Sequence, residues 1–386
     1  MRKVLLYYSF GFSFGGGEHL PLAFIASLQS SCDLTVALDV PENLDRASAA
    51  LGAGIDTGRF NVVKVTPPGY EPGRHGALDS IYRFRALRSL AREADVCISA
   101  ANVMDFGRPA HHFINMLAFG DDAFTRYALG KGRRAGAGAR ARLLAESVLR
   151  PILGMRSKRG IVCDPKERIY PNSRYVDGLM RGFYGNFFGE VFYPPVMFEP
   201  SHVPDAAHDP LKVVYIGRIV PEKRIEDLVS IVERSRAVSG LGISFHVAGR
   251  LDQSPTYGRK LGEMAEGRPW LKFVGPLYGE EKERFLTSGS YALHAERVEA
   301  FGISVAEYLK AGLVPVVPDS GGAPEVVGEA ELKYGTCEEA SRILARLATD
   351  AEFRQRCRRR CAVRAATFSR EAYETRQRKL LAEVTA

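Results

Sequence analysis

The 386-residue sequence has no apolar run of the roughly 18–20 residues that a membrane-spanning helix needs. Its six cysteines form no CxxC pair, and none lies near a histidine at zinc-finger spacing, so a reduced, cytosolic compartment fits best. The composition is not extreme, with 46% hydrophobic and 25% charged residues, which excludes a disordered or fibrous protein. The length favours about two domains.

The positive charge is concentrated in one segment. The chain has 53 Lys and Arg against 45 Asp and Glu, a net charge of +8. Residues 126–159 hold ten basic residues and one acidic residue, so their net charge is +9 and that of the remaining chain is −1. A second basic run covers residues 354–364. Because no aromatic residues alternate with the basic ones, we favour an anionic membrane surface over nucleic acid as the partner.

Strand and helix patterns alternate along the chain and are interrupted once, at residues 194–210, which contain five prolines. Alternation of this kind predicts parallel sheets with helices on both faces. We expect α/β/α domains at 1–196 and 211–368, a linker at 197–210, and a C-terminal helix at 369–386 that packs on the first domain. A ligand would bind between the domains, at the carboxyl ends of the strands. The predicted strands are 4–9, 34–40, 60–65, 95–99, 168–173, 190–193, 212–216, 243–248, 271–274, 291–294 and 314–317.

A glycine loop at residues 15–17 follows the first predicted strand and precedes a helix. Glycine lets the backbone approach a ligand, and a helix N-terminus offers free N–H groups to a phosphate. The dinucleotide-binding pattern GxGxxG is incomplete because Leu20 occupies its last position. Asp39, however, ends the second strand, where a ribose-binding acid would lie. A dehydrogenase and a tight turn without a ligand are therefore both alternatives for this loop.

The segment from His294 to Val327 carries the strongest pattern. Glu299 follows a predicted strand, Gly302 lies where a helix begins, and Glu307 projects from that helix. The two carboxylates would reach different parts of an elongated ligand, and each can accept two hydrogen bonds from vicinal hydroxyls such as those of sugars. Two glutamates near a helix start also fit capping or solvated charges.

These residues resemble the nucleotide-binding signature of family 4 retaining glycosyltransferases, which have the GT-B fold. Glu299 and Glu307 form an E-x7-E pair with Phe301-Gly302 between them. The sequence around Glu299 most resembles that of the mannosyltransferases that build lipid-linked glycans. The resemblance spans nearly the whole chain. Further matching motifs are Gly16-Gly17-Glu18, Asn172-Ser173, the Tyr-Pro-Pro-Val stretch at 193–196, Gly217-Arg218 with Lys223, and Ser320-Gly321-Gly322 followed by Glu325.

The resemblance implies a role for each matching residue, with the second domain binding the sugar nucleotide. Arg218 and Lys223 would hold the diphosphate, where fixed cations stabilise the charge that develops as it departs. Glu299 would bind hydroxyls of the donor sugar and Glu307 the ribose. The other implied donor contacts are Gly16 and Gly17 from the first domain, Gly249 and Arg250 beside the base, and Phe301, Gly302 and Ile303 through their backbone amides.

A histidine is often found beside the donor sugar in this family, after the fourth strand. His111 and His112 lie there, and the resemblance favours His112. It also implies front-face attack in which the donor phosphate takes the acceptor proton, with no protein nucleophile or general base. The chain contains no DxD triplet and no His/Cys/Asp cluster at metal spacing, which implies a metal-independent enzyme in which Arg218 and Lys223 replace the metal.

The expected function is transfer of a hexose, mannose or similar, from a GDP- or UDP-sugar to a glycan or lipid-linked acceptor in cell-envelope polysaccharide or glycolipid biosynthesis. No cofactor beyond the donor is expected. The expected location is cytoplasmic, with residues 126–159 as a means of attachment to the inner face of the membrane. The alternatives are a non-catalytic sugar-nucleotide-binding protein and a GT-B epimerase. The sequence does not name the base, the sugar or the acceptor.

Overall fold

The structure is a computed structural model that describes residues 1–9, 11–12, 15–70, 77–118, 121–130, 152–203, 209–251 and 255–385. The chain forms two compact units. The first comprises Met1–Met197 and Thr375–Ala386, and the second comprises Phe198–Glu374. Among the described residues, no helix is long and apolar enough to cross a membrane.

The first unit is built on a six-stranded parallel sheet with the strand order β3-β2-β1-β4-β5-β6. The central strand is apolar from Val4 to Tyr8 and fully buried, as expected for a strand covered by helices on both faces. The strands are β1 (Lys3–Tyr8), β2 (Asp33–Leu38), β3 (Asn61–Lys64), β4 (Val96–Ser99), β5 (His111–Ile114) and β6 (Arg168–Pro171). The helices are His19–Leu28, Leu44–Leu51, Ala77–Glu93, Asp122–Leu129, Lys158–Val162 and Arg174–Tyr184.

The chain end returns to the first unit. The last helix is Arg370–Thr385, and its residues from Thr375 onward belong to this unit. The buried Gln377 side chain accepts a hydrogen bond of 2.8 Å from Ser27 Oγ and donates one of 3.2 Å to the Ala23 carbonyl oxygen. These bonds satisfy a buried amide and fix the helix against His19–Leu28.

The second unit has a six-stranded parallel sheet with the order β12-β11-β10-β7-β8-β9. Its strands are β7 (Asp209–Ile216), β8 (Ser244–Ala248), β9 (Leu271–Gly275), β10 (Gly289–Leu293), β11 (Val314–Pro318) and β12 (Lys333–Tyr334). Its helices are Ile225–Ser239, Pro255–Ala265, Gly279–Thr287, Ile303–Lys310, Ala323–Val327, Cys337–Thr349 and Ala351–Ala365. The predicted fold class, two doubly wound α/β/α units, is confirmed.

Three local predictions are wrong. Glu190–Tyr193 is not a strand, because two prolines follow it and its backbone makes only isolated bonds, such as that of 2.8 Å from Phe192 N to the Pro171 carbonyl oxygen. No strand is predicted at His111–Ile114, but these residues form strand β5 between β4 and β6. Strand β7 begins at Asp209, so the last residues assigned to the linker belong to the sheet.

Each sheet reverses its strand order once. In the first unit β1 lies between β2 and β4, and in the second β7 lies between β8 and β10. Loops at such a switch point leave in opposite directions and open a crevice at the carboxyl edge of the sheet, where ligands of doubly wound folds bind. The loops that follow β7 and β10 therefore define the place to look for a site in the second unit.

Candidate active site

The loops after β7 and β10 bring together the strongest charged residues predicted from the sequence. Lys223 closes a 3-10 turn, Pro221–Lys223, that follows β7, and Glu299 lies in the loop that follows β10. The Lys223 ammonium lies 2.8 Å from Glu299 Oε2 and also contacts Glu296 Oε2. All three side chains keep about a fifth of their surface exposed, at 18%, 20% and 22% for Lys223, Glu299 and Glu296. The cluster is thus partly shielded from water yet still open to a ligand.

The charged groups in this cluster shift one another's pKa values. Although burial acts to lower it, the two carboxylates raise the pKa of Lys223, so the ammonium stays protonated. Burial opposes ionisation of Glu299, yet the adjacent Lys223 lowers the pKa of that carboxyl to about 2. For Glu296, burial and the neighbouring Glu299 raise the pKa to about 7. At neutral pH the site therefore holds a fixed cation, a fixed anion and one carboxyl that can take a proton.

His294 completes the cluster. It is 1% exposed, its Nε2 lies 3.7 Å from Glu299 Oε2, and neither ring nitrogen has a hydrogen-bond partner among the described residues. Burial lowers the pKa of His294 to about 4, so the ring is neutral. The sequence shows no cluster at metal spacing, but the fold places ligand-type atoms of His294, Glu296 and Glu299 within 4.8 Å of one another. In this structure the cation that lies against the carboxylates of Glu296 and Glu299 is the Lys223 ammonium.

Sequence reasoning misses Glu296 and His294 as members of the site. In the sequence, Glu296 marks only the end of a strand, and His294 is only a strand residue. The signal is present, because polar side chains that directly follow a buried strand next to a switch point lie at the ligand-binding edge. This signal can be interpreted as a ligand-binding site only once β10 is known to lie beside β7.

Two glycines hold the Glu299 loop in place. Gly322 N donates a hydrogen bond of 2.7 Å to the Glu299 carbonyl oxygen. A Cβ on Gly322 would lie 2.4 Å from the Ala300 carbonyl oxygen, and one on Gly321 would lie 2.9 Å from the Glu299 carbonyl oxygen. Gly321 also has φ +76°, which favours glycine. The Ser-Gly-Gly motif is therefore a backbone support for the loop that carries Glu299.

Residues 301–303 set the start of the helix after this loop. Gly302 has φ +104° and its carbonyl oxygen accepts the amides of Val305 and Ala306 at 3.0 and 3.2 Å. The Phe301 ring is buried against Phe368, so only its backbone is available to a ligand. Ile303 is the first helical residue. The first amides of a helix have no intrahelical partner, so the predicted backbone contacts fit this geometry.

The Glu307 carboxylate is buried and paired with a lysine. It is 4% exposed, and its Oε1 forms a 2.6 Å ion pair with Lys282 Nζ on the helix Gly279–Thr287. The next residue, Tyr308, has a hydroxyl that accepts the Ile216 amide at 2.9 Å and so binds the helix to the end of β7. Binding of ribose by Glu307 stays a prediction, and any such contact would be made by a carboxylate already neutralised by Lys282.

Arg218 and Arg250 lie on adjacent loops. Ile219 N donates to the Arg250 carbonyl oxygen at 2.9 Å, and a Cβ on Gly249 would lie 1.8 Å from the Gly217 carbonyl oxygen. Both arginines are exposed, and the Arg218 guanidinium makes no ion pair with any residue in the described ranges. The glycines thus allow the loops after β7 and β8 to touch, which leaves two arginines at the same edge of the sheet as Lys223.

The glycine loop of the first unit lies at that unit's own switch point, after β1. Gly16 and Gly17 begin a 3-10 turn that leads into the helix His19–Leu28, and a Cβ on Gly17 would have nothing within 4 Å. Asp39, the acid of the dehydrogenase alternative, is 1% exposed and accepts hydrogen bonds from Tyr7 Oη at 3.1 Å and Arg83 Nε at 2.8 Å. Its side chain is therefore engaged inside the unit, which does not favour a ribose-binding role.

His112, which the resemblance places beside the donor sugar, lies in a strand that the sequence does not predict. It is fully buried in β5, where its Nε2 lies 2.9 Å from Glu167 Oε2 and its Nδ1 accepts the Met104 amide at 3.3 Å. Burial lowers its pKa, which leaves the ring neutral. Glu167 is also buried and binds the Ala110 amide at 2.8 Å and Arg156 Nη2 at 2.6 Å. With both ring nitrogens engaged, His112 is a core residue of the first unit.

Replacing Glu167 with Ala should destabilise the first unit strongly. The change leaves His112, Arg156 and the Ala110 amide without their shared buried acceptor, at an expected cost of about 3–5 kcal/mol in the free energy of unfolding. Urea denaturation followed by circular dichroism measures it. The exposed Glu190 provides the control, because Glu190→Ala should change the free energy by less than about 0.5 kcal/mol. Equal effects of the two variants would contradict the network's importance.

The basic segment 126–159 lies mostly outside the described residues, which omit 131–151. Within the described part, Arg156 is paired with Asp105, Asp164 and Glu167 and is therefore a structural residue. Attachment of this segment to a membrane stays a prediction.

Solved structures of the GT-B class, which contains two doubly wound units, align with 95–100% of this chain. HepE of Anabaena, in complex with UDP-glucose, has 16% sequence identity and a TM-score of 0.68 over 99% of this chain and 100% of that one. Sucrose-phosphate synthase of Thermosynechococcus elongatus has 13% identity and a TM-score of 0.69 over 100% and 99%. WaaG, a glycosyltransferase involved in lipopolysaccharide biosynthesis, has 15% identity and a TM-score of 0.66 over 95% of each chain.

Sequence comparison finds a family match within the second unit. Residues 199–362 match the family described as "Glycosyl transferases group 1", and this stretch contains Lys223, Glu296 and Glu299. A curated relative, the sulfoquinovosyl transferase SQD2 of Arabidopsis thaliana, is 29% identical over 117 residues, which cover 30% of this chain. The match spans only 21% of that relative's length. The protein has the GT-B fold, and residues 199–362 of its second unit match the group 1 glycosyltransferase family.

Proposed function

We propose that the protein is a retaining glycosyltransferase that moves a hexose from a nucleoside diphosphate sugar to a glycan or lipid-linked acceptor. The observation that carries the proposal is the Lys223–Glu299 pair, with its 2.8 Å contact, at the switch point of the group 1 unit. A fixed ammonium favours the charge that develops on a departing diphosphate, and a fixed carboxylate accepts hydrogen bonds from sugar hydroxyls. Both groups are held ionised at neutral pH.

Different groups of the site would bind different portions of the donor. Glu299 would accept hydroxyls of the sugar, Lys223 and the exposed Arg218 would bind the diphosphate, and the helix start at Gly302 would offer amides to it. The cations take the part that a metal plays in other transferases, so we propose that the reaction needs no metal and no cofactor besides the donor. The donor phosphate would take the acceptor proton as the glycosidic bond forms on the same face.

The structural relatives suggest where to look for the donor and the pathway. HepE was solved with UDP-glucose, and WaaG is involved in lipopolysaccharide biosynthesis. They support a UDP-linked hexose as the donor and an acceptor in envelope polysaccharide or glycolipid synthesis. A GDP-linked hexose such as mannose is proposed from the motif resemblance alone. A cytoplasmic enzyme at the inner face of the membrane would meet such an acceptor.

A donor panel tests the proposal. UDP- and GDP-hexoses are incubated with lipid-linked sugars, and release of nucleoside diphosphate is followed with and without EDTA. We expect one donor to react, with EDTA having no effect, with the anomeric configuration retained by NMR, and with Glu299→Ala about 100-fold slower or more. The control is Glu233→Ala, an exposed ion-pair partner of Arg268 in the same unit, which should react normally.

Three results would argue against the proposal. Binding without release of the diphosphate would favour the sugar-nucleotide-binding alternative. Conversion of the donor sugar to its epimer would favour the epimerase alternative. An inverted product would contradict the retaining mechanism.

A further inference from the structure

Glu296 is the charged residue of the site to which the motif resemblance gives no role. It follows β10, contacts the Lys223 ammonium and is 22% exposed. Lys223 therefore has two carboxylate partners, Glu296 and Glu299, which lie three residues apart in the same loop. A lysine side chain is flexible and loses rotamer entropy on being ordered, so two fixed partners define its position better than one.

The cluster has one negative charge too many. If both carboxyls ionise, Lys223 neutralises only one of them, and among the described residues it is the cation in ion-pair contact with them. The exposed Arg218, which follows β7, acts on the neighbouring Tyr215 but forms no ion pair with either carboxyl. Tyr215 of β7 is neutral because burial raises its pKa well above the usual value, and His294 at the end of β10 is neutral because burial lowers its pKa. Of the two carboxyls, Glu296 has the raised pKa, and it is where a proton is most easily added.

A bound diphosphate would increase this excess. Its negative oxygens at Lys223 would lie close to Glu296, and a like charge nearby favours the protonated form of a carboxyl. A protonated Glu296 no longer competes with the phosphate for the ammonium. It still has an oxygen that accepts a hydrogen bond from Lys223 and an O–H that can donate one.

We propose that Glu296 is a positioning residue for Lys223, and that it takes up a proton from solvent when the nucleoside diphosphate binds. Before binding, Glu296 and Glu299 together fix the Lys223 ammonium at the switch point. On binding, the proton removes the repulsion between Glu296 and the phosphate while Glu299 keeps Lys223 in place. This inference rests on the proposed function.

The sign of the pH dependence follows from the proton count. Because the complex holds more protons at Glu296 than the free protein, affinity is highest at low pH and falls as the pH rises. The limit for one proton is about tenfold in Kd per pH unit. Glu296→Gln imitates the protonated carboxyl at every pH and should remove this contribution.

Isothermal titration calorimetry with UDP and with GDP tests the proposal between pH 6 and 9, in buffers of low and high ionisation enthalpy. The wild-type protein and Glu296→Gln are compared at each pH, so that ionisation of the nucleotide itself cancels. We expect Kd of the wild type to rise by about fivefold to tenfold more per pH unit above pH 7 than that of the variant. We also expect the buffer-dependent proton uptake to be lost in the variant. Glu233→Gln is the matched control and should keep the wild-type pH dependence.

The outcomes separate the two proposals. Nucleotide binding with the same pH slope in the wild type and Glu296→Gln would overturn the role of Glu296 and leave the proposed function standing. If neither UDP nor GDP binds to the wild type or to the variants, and circular dichroism shows that the proteins are folded, the role of Glu296 and the proposed function are both overturned. If Glu296→Gln is too unstable to study, Glu296→Asp replaces it. This shorter carboxylate should keep the proton uptake but hold Lys223 less well, with a kcat at least about fivefold lower, and an unchanged kcat would contradict the positioning role.

Discussion

Replacing Lys223 with Ala should lower the turnover of the reactive donor by about 100- to 1,000-fold. This is the usual effect of removing one fixed group that stabilises charge in a transition state. Lys223 lies 2.8 Å from Glu299, and its loss also leaves Glu296 and Glu299 to repel each other and the diphosphate. Steady-state release of nucleoside diphosphate gives kcat, and calorimetry with UDP gives the separate effect on binding.

The Lys223 result needs a control of the same kind. Lys260 forms an ion pair of 2.9 Å with Glu226 in the same unit and is 54% exposed, so Lys260→Ala should keep its turnover within about twofold. Lys223→Arg keeps the charge on a planar group and should restore only part of the activity. Full activity of a folded Lys223→Ala variant would show that the diphosphate leaves elsewhere.

Replacing Gly322 with Ala should damage the site without touching any charged residue. The new Cβ would lie 2.4 Å from the Ala300 carbonyl oxygen and 2.8 Å from the Phe301 Cα. Both neighbours are backbone atoms, so no side chain can rotate away and the loop carrying Glu299 has to shift. We expect a loss of about 1–3 kcal/mol in the free energy of unfolding, as for other overpacked sites. A displacement of about 1 Å in a catalytic group can lower kcat by about 100-fold.

Gly262 is the control for this substitution. It lies in the helix Pro255–Ala265, and a Cβ there would have nothing within 4 Å. Gly262→Ala should therefore raise the free energy of unfolding by about 0.5–1 kcal/mol, because alanine is the better helix former, and leave turnover unchanged. Thermal unfolding and the turnover assay measure both effects. Normal turnover of Gly322→Ala would mean that the glycine does not hold the Glu299 loop.

The sequence is informative where the pattern is local. Strand periodicity locates most strands to within two or three residues, since a strand buried on both faces is a nearly continuous apolar run. Motifs single out Gly302 and Gly321, and both have a positive φ that other residues rarely adopt. The Ser-Gly-Gly motif, however, gives no hint that its contact is the backbone of Glu299 and Ala300.

The sequence says least about residues whose surroundings come from distant parts of the chain. His112 follows a stretch with Gly107 and Pro109, residue types that are typical of a loop, yet β4 and β6 enclose it as strand β5. Its two nitrogens are then satisfied by Glu167, which is 55 residues away in sequence, and by the Met104 amide. Glu307 has the sequence context of a free carboxylate, but a lysine 25 residues earlier neutralises it.

The sequence by itself determined the two doubly wound units, the kind of residues at the carboxyl ends of the strands, and the resemblance to the glycosyltransferase family. Only the tertiary structure decided which of those residues act together. Lys223 and Glu299 are 76 residues apart and meet because β10 returns to pair with β7. Their contact also brings in Glu296, which no motif marks. Strand order is set by the packing of the whole sheet, so a charged pair formed across a switch point cannot be read from local sequence.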